Sequence, residues 1–149
     1  MNSLLSSGLF DEKTFYQVFI QDLENSKEEV FIESPFITTE RTKPLIPLFN
    51  KLLKKGVKIY VMTRDPKEHE EKMEYQSEEI ISCFERLGIQ VLLCIGNHHR
   101  KLAIIDRNIL WEGSLNILSQ NNSREIMRRI EGEELSLEMF NFLKLYKFI

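Results

Sequence analysis

Three β-rich runs alternate with amphipathic segments along the first two thirds of the chain, and this order constrains the fold more than any other feature. The runs are Glu29–Ser34, Val57–Thr63 and Ile89–Ile95. The third run is almost continuously apolar, which predicts a strand buried on both faces. An alternation of helices and strands predicts an α/β fold, in which helices flank both faces of a mixed β-sheet.

The segments that precede these runs carry apolar residues at helical spacing. The first predicted helix spans Glu12–Asn25, and the second contains two early prolines and ends at Gly56. Before the third run, the very polar stretch Lys67–Glu79 is predicted to be a loop that feeds a helix ending at Gly88.

The rest of the chain adds a hairpin, a polar loop, a segment compatible with a strand or a helix, and a final helix. The hairpin strands are predicted at Arg100–Asp106 and Ile109–Glu112, and the polar loop at Gly113–Ser123. The ambiguous segment is Glu125–Ile130, and the final helix is Glu133–Phe148. The two hairpin strands flank a tight turn at Arg107–Asn108.

Length and composition indicate one domain over residues 1–149. A chain of 149 residues is too short for two separate cores, and its net charge of −3 excludes a uniformly basic, histone-like protein. Cys83 and Cys94 lie among apolar residues and are predicted to be free thiols. No apolar run is long enough for a membrane span, and the N-terminus lacks the basic region of a secretory signal. We therefore expect a cytoplasmic protein with no membrane partner, or a domain cut from a larger protein.

The segment from His99 onward concentrates side chains that suit a phosphate. His99 and Lys101 are two residues apart, so on a strand both would point to one face and bind an anion. Ser114 and Asn116 repeat this spacing after Gly113, and both can hydrogen-bond a phosphoryl oxygen. A glycine at position 113 lets the backbone approach a ligand or a neighbouring strand closely.

The local charge agrees with an anion site. Between Ile95 and Ile130 the chain carries six cations and three anions, although the whole protein is acidic. Arg124, with Arg128 and Arg129, could contact a nucleic-acid backbone or form a solvated basic face.

These residues resemble a known family. The string His99-x-Lys101-x4-Asp106-x6-Gly113-Ser114-x-Asn116 matches the HKD motif of the phospholipase D superfamily, including its Gly-Ser-x-Asn extension. The earlier segments EVFIESPFI and KKGVKIYVMT resemble the first half of a phospholipase D-like domain, so the likeness covers nearly the whole chain.

The resemblance implies roles for the motif residues. His99 would attack phosphorus and form a phosphohistidine intermediate. Lys101 and Asn116 would hold the non-bridging oxygens, and Ser114 would contact the phosphate or orient the site. Glu125 would hydrogen-bond the far nitrogen of His99 and fix its tautomer, although a plain surface carboxylate is the alternative.

The resemblance also assigns supporting positions. Asp106 belongs to the motif, and in this family it is more often structural than a direct participant in catalysis. We expect Arg100, Arg124 and Gly113 to contribute to substrate binding. The family's chemistry requires no metal and no cofactor, because lysine and asparagine side chains neutralise the phosphate.

The chain holds one motif, whereas the family uses two for each active site, because a second histidine protonates the leaving oxygen. Neither His69 nor His98 has a lysine two residues later. His98 is predicted to be a bystander or to lie at the lip of the site. A single motif therefore predicts a symmetric homodimer in which His99 of each chain meets the other.

Three functions compete at this point. The leading hypothesis is a metal-independent nuclease that cleaves DNA, or less favourably RNA, through a phosphohistidine intermediate. The alternative is a phospholipase D-like nucleic-acid-binding module of a helicase or restriction system, with little activity of its own. A lipid-directed enzyme is disfavoured, because such members usually carry two motifs in a longer chain.

Overall fold

A seven-stranded mixed sheet forms the centre of the computed structural model, which describes residues 6–149. The strands are β1 (Ser6–Asp11), β2 (Glu29–Glu33), β3 (Lys58–Arg64), β4 (Gln90–Cys94), β5 (Leu102–Ile105), β6 (Ile109–Gly113) and β7 (Ile126–Glu131). Their order across the sheet is β1-β7-β6-β5-β2-β3-β4. The strands β2, β3 and β4 run parallel to one another, and all other neighbours are antiparallel.

The helices connect and cover these strands. They are α1 (Phe15–Glu24), α2 (Thr39–Thr42), α3 (Ile46–Lys54), α4 (Glu71–Leu87) and α5 (Glu133–Phe142), with 3-10 turns at Lys43–Leu45, Pro66–Glu68 and Leu145–Phe148. The helix α4 ends at Gly88, whose φ of 107° provides the left-handed residue that commonly terminates a helix.

Two hydrophobic clusters lie on opposite faces of the sheet, because successive side chains of a strand point to opposite sides. On β2, Val30 and Ile32 belong to the first cluster, and Phe31 belongs to the second. Residues of α1, α3 and α4 complete the first cluster, and Phe140 of α5 packs into the second. The α/β fold with a mixed sheet and helices on both faces is therefore confirmed.

Several predicted elements differ from the structure. The run Ile89–Ile95 contains an edge strand rather than one buried on both faces, because β4 has a neighbour on one side only, and Leu93 is 50% exposed. The stretch Lys67–Glu79 is largely helical, since α4 begins at Glu71. The N-terminus of α4 is stabilised by Glu70, whose carboxylate accepts hydrogen bonds from two backbone amides.

The chain ends also differ from the prediction. The strand β1 was not predicted, and it pairs with β7 along the outer edge. The first helix begins at Phe15 rather than Glu12. The ambiguous segment after Glu125 is the strand β7, and the final helix stops at Phe142, before Lys144 adopts a φ of 57°.

The turn between β5 and β6 is fastened to the start of β2 by Asp106. Its carboxylate accepts hydrogen bonds from the backbone amides of Lys27, Glu28 and Glu29 at 2.9, 2.8 and 3.0 Å. The amide of Asn108 donates to the carbonyl oxygen of Ile105, and the two residues between them, Asp106 and Arg107, both have positive φ, so the turn begins one residue earlier than predicted. Asp106 therefore fixes the relation between the hairpin and the parallel strands.

We expect Asp106→Asn to lower the free energy of unfolding by about 2 kcal/mol, because the amide removes the charge that three N–H donors share. Urea unfolding measures this loss. The matched control is Asp65→Asn, which alters a carboxylate that accepts from one backbone amide, that of Lys67, at an exposed turn. Equal losses in the two variants would contradict the anchoring role of Asp106.

Gly113 is the last residue of β6 and is paired with Met127 of β7. A Cβ atom at this position would overlap the carbonyl oxygen of Ile126 and lie 2.9 Å from Met127 Cα, and neither backbone atom can move aside cheaply. We expect Gly113→Ala to cost about 3 kcal/mol of unfolding free energy. In the control Gly8→Ala the new Cβ would meet the movable ring of Phe10 at 3.3 Å, so thermal unfolding should shift far less. Similar shifts would show that the close approach at Gly113 does not matter.

Candidate active site

One end of the sheet collects most of the motif residues. Because β5 and β6 are antiparallel, the segment that enters β5 lies beside the segment that leaves β6. His99 and Lys101 precede β5, and Ser114 and Asn116 follow β6. Glu125 directly precedes β7, which pairs with β6 at this same end. The topology thus brings together five residues that are spread over 27 positions of the sequence.

His99 and Lys101 lie in an irregular segment rather than on a strand, since β5 begins only at Leu102. The His99 side chain is exposed, and its Nε2 lies 3.2 Å from Asn97 Oδ1. Lys101 Nζ donates a hydrogen bond of 2.6 Å to the carbonyl oxygen of His99. The ammonium group therefore lies next to the backbone of the predicted nucleophile.

Ser114 joins the end of β6 to the start of β7. Its amide donates to the carbonyl oxygen of Ile126 at 2.9 Å, and its hydroxyl accepts from the amide of Ile126 at 3.0 Å. Asn116 is different, because its Oδ1 is buried and has no hydrogen-bond partner among residues 6–149. A buried amide oxygen without a partner is costly, and because this atom can only accept a hydrogen bond, a phosphoryl oxygen would have to be bound by the Asn116 Nδ2 donor.

Glu125 is the acidic residue of the site. Hydrogen bonds from the hydroxyls of Ser114 and Ser123, together with the positive charge of Lys101, hold its pKa below the usual range. A carboxyl group with a lowered pKa stabilises the fold above its ordinary pKa and loses that contribution as the pH falls. Its predicted hydrogen bond to His99 is not among the contacts of the described residues, where the ring nitrogen of His99 lies near Asn97. The orienting role of Glu125 stays a prediction.

The predicted substrate-binding residues occupy different surroundings. Arg124 is exposed and lines an open cleft of about 630 Å³ together with Ser114 and Glu125. Arg100 turns back toward the sheet, where its Nε lies 3.0 Å from Glu33 Oε1. The close approach at Gly113 is to the neighbouring strand β7, so this glycine serves packing.

Asp106 does not lie in the site. It follows β5, whereas His99 precedes that strand, so the two residues are at opposite ends of the sheet. The structure therefore removes Asp106 from the candidate catalytic group and gives it the anchoring contacts described above. This agrees with the structural role that the resemblance favours for the aspartate.

A buried acid near the site was missed by the sequence analysis. Glu33, the last residue of β2, is fully buried, and the side chains of His98 and Arg100 turn toward it. His98 is thus packed beneath the site rather than at its lip. The available signal was a lone carboxylate at the end of an apolar strand in a parallel part of the sheet, where functional groups often gather.

An aromatic group beside His99 was also missed. The ring of Phe36 stacks on His69 at 5.0 Å between centroids and meets His99 edge-on at 6.4 Å. Burial lowers the pKa of His69, and the positive charge of Arg64 lowers it further. The sequence placed His69 in a solvated loop, because the contact with Phe36 joins residues 33 positions apart.

No helix in residues 6–149 is long and apolar enough to cross a membrane. The same part of the chain holds no group of three or more histidine, cysteine, aspartate or glutamate side chains arranged to bind a metal ion.

Comparisons with known proteins identify the family of this fold. A family model described as "Cardiolipin synthase, PLD-like domain" matches residues 19–144. No curated protein matches the chain in sequence.

Solved structures share the fold at low sequence identity. NucT from Helicobacter pylori is 18% identical, with a TM-score of 0.69, and the match covers 94% of both chains. The phospholipase D family member Nuc from Salmonella typhimurium is 15% identical, with a TM-score of 0.72 over 94% of this chain and 92% of its own. Phosphatidylserine synthase from Haemophilus influenzae is 12% identical, with a TM-score of 0.73 over 99% of this chain and 39% of its own.

These matches confirm the resemblance carried by the motif. The family model covers most of the chain, and the similar structures share its fold. The chain therefore belongs to the PLD-like domain family of the phospholipase D superfamily.

Proposed function

We propose that the protein is a metal-independent phosphodiesterase that cleaves DNA through a phosphohistidine intermediate. The observation that carries the proposal is the meeting of His99, Lys101, Ser114 and Asn116 at one open end of the sheet. An exposed imidazole beside an ammonium group and the Nδ2 donor of a side-chain amide suits a phosphodiester better than a neutral substrate. The fold shared with NucT and Nuc supports a nuclease.

The proposed first step is a displacement at phosphorus. A ring nitrogen of His99 attacks, a P–N bond forms, and the P–O bond to the leaving strand breaks. Lys101 Nζ and the Asn116 amide bind the non-bridging oxygens and stabilise the charge that develops on them. Lys101 Nζ already lies within hydrogen-bond distance of the His99 backbone, so a small side-chain movement brings it to the phosphate.

The leaving oxygen needs a proton, and we propose that it comes from His99 of a second copy of the chain. That histidine then takes a proton from water, the water oxygen attacks phosphorus, and the P–N bond breaks to restore His99. One acid and one base are thus supplied by two identical histidines around a two-fold axis. The locally basic segments of both copies would face the same DNA strand.

Cleavage of fluorescently labelled single-stranded and duplex DNA in excess EDTA tests the proposed chemistry. We expect turnover by the unmodified protein and a loss of roughly 10³-fold or more in His99→Ala, because the nucleophile is removed. Lys101→Met should also lose activity, whereas Lys51→Met, a change on the exposed side of α3, should not. Activity that EDTA abolishes, or that survives in His99→Ala, would contradict the mechanism. A gel shift without cleavage would favour the binding module.

The composite site predicts a dimer with one active site. Light scattering should give about twice the mass of one chain. When unmodified and His99→Ala chains are unfolded, mixed in equal amounts and refolded together, about one quarter of the full activity should remain, since only wholly unmodified dimers are active. Independent sites would instead retain about one half. A strict monomer, or a complete loss of activity in His69→Ala, would overturn the shared site, the latter by assigning the second histidine to the same chain.

A further inference from the structure

A buried carboxylate lies beneath the segment that carries His99. Glu33 ends β2, and its side chain is 0% exposed. Glu33 Oε1 lies 3.0 Å from Arg100 Nε, with which it forms a hydrogen bond, and 3.0 Å from His98 Nε2. Its second oxygen, Oε2, is buried without a hydrogen-bond partner in the described part of the chain. Placing a carboxylate in such surroundings is costly, and apolar residues would fill the space at lower cost.

The two residues that turn toward Glu33 are the neighbours of the proposed nucleophile. The His98 side chain is directed inward, and Arg100 reaches Glu33 through its Nε although half of its side chain is exposed; the His99 side chain between them is exposed. Residues 97–101 belong to neither a helix nor a strand, so no ladder of backbone hydrogen bonds holds them in place. Their position depends on side chains at both ends, and Glu68 secures the beginning by accepting from the amides of Gly96 and Asn97.

The surroundings of Glu33 fit an anchor for this segment. Its neighbours on the adjacent strands are Met62 of β3 and Leu102 of β5, both apolar and buried. Cys94 of β4 packs against the same cluster as Met62 and Leu102, and burial together with the negative charge of Glu33 raises the pKa of its thiol. The positive charge that faces Glu33 is that of Arg100, and the His98 ring lies beside the same carboxylate; both residues come from the active-site segment itself.

We propose that Glu33 is a positioning residue that holds His99 and Lys101 in place through the two side chains that flank His99. Its catalytic consequence rests on the proposed nuclease function. The contact with Arg100 fixes the chain one residue after His99, and the proximity of His98 fixes it one residue before. A misplacement of about 1 Å in a nucleophile can lower turnover by about 10²-fold.

Limited proteolysis of the whole chain with trypsin tests the anchor without relying on activity. In Glu33→Gln we expect cleavage after Arg100 and Lys101 to be about tenfold faster, because these residues are held less firmly. The matched control is Glu29→Gln at the other end of β2, where Glu29 binds Arg107 at 2.6 and 3.1 Å. That variant should speed cleavage after Arg107 and leave cleavage within residues 97–101 unchanged. Unchanged cleavage within residues 97–101 in Glu33→Gln would overturn the proposal.

Steady-state cleavage of DNA then separates positioning from stability. We expect Glu33→Gln to lower kcat by about 10- to 100-fold while KM changes less than about twofold, because substrate binding is retained and the nucleophile is displaced. Glu29→Gln should keep kcat. Equal losses of kcat in the two variants, in step with their melting temperatures, would refute positioning. If the unmodified protein cleaves no DNA but tryptic cleavage within residues 97–101 responds as expected, the anchor stands and the proposed nuclease function fails.

Discussion

The antiparallel pairing of β5 with β2 is the contact on which the rest of the structure depends. It places a strand from the second half of the chain beside the first of three parallel strands, in the register Val30 with Ile105 and Glu33 with Leu102. The Asp106 carboxylate secures one end of this pairing. At the other end, the same register brings the carboxyl end of β2 under the segment that enters β5. The position of His99 thus depends on a strand register that Asp106 fixes at the opposite end of the β2–β5 pair.

The parts of the fold that the sequence predicted are those whose signal is local. Amphipathic spacing predicted α1 and α3. Runs of β-branched and apolar residues predicted β2 and β3, and the turn signal between two such runs predicted the hairpin of β5 and β6. The motif predicted that His99, Lys101, Ser114 and Asn116 lie close together, because they flank the two strands of that hairpin. These features need no knowledge of the partner across the sheet.

The features that sequence reasoning missed depend on neighbours distant in the chain. An apolar run does not reveal whether its strand is central or at an edge, so the exposure of β4 could not be predicted. The strand β1 has a weak pattern and exists through its pairing with β7. The charged N-terminal part of α4 contains good helix formers, and Glu70 caps the start of the helix within the stretch that was predicted to be a loop. The role proposed for Glu33 depends on its contacts with His98 and Arg100, which lie more than 60 positions later in the chain.

The anchoring contacts of Asp106 show that one motif can contain both residues that stabilise the fold and residues proposed to take part in the chemistry. A residue whose contribution is stability can be lost if stabilising substitutions accumulate elsewhere, since free energies from distant sites add. A residue that bonds to the reacting phosphorus has no such substitute. Among relatives of this chain, the aspartate of the motif is therefore free to drift wherever the fold has stability to spare, while the histidine is not. A degenerate aspartate is weak evidence that a family member has lost its chemistry.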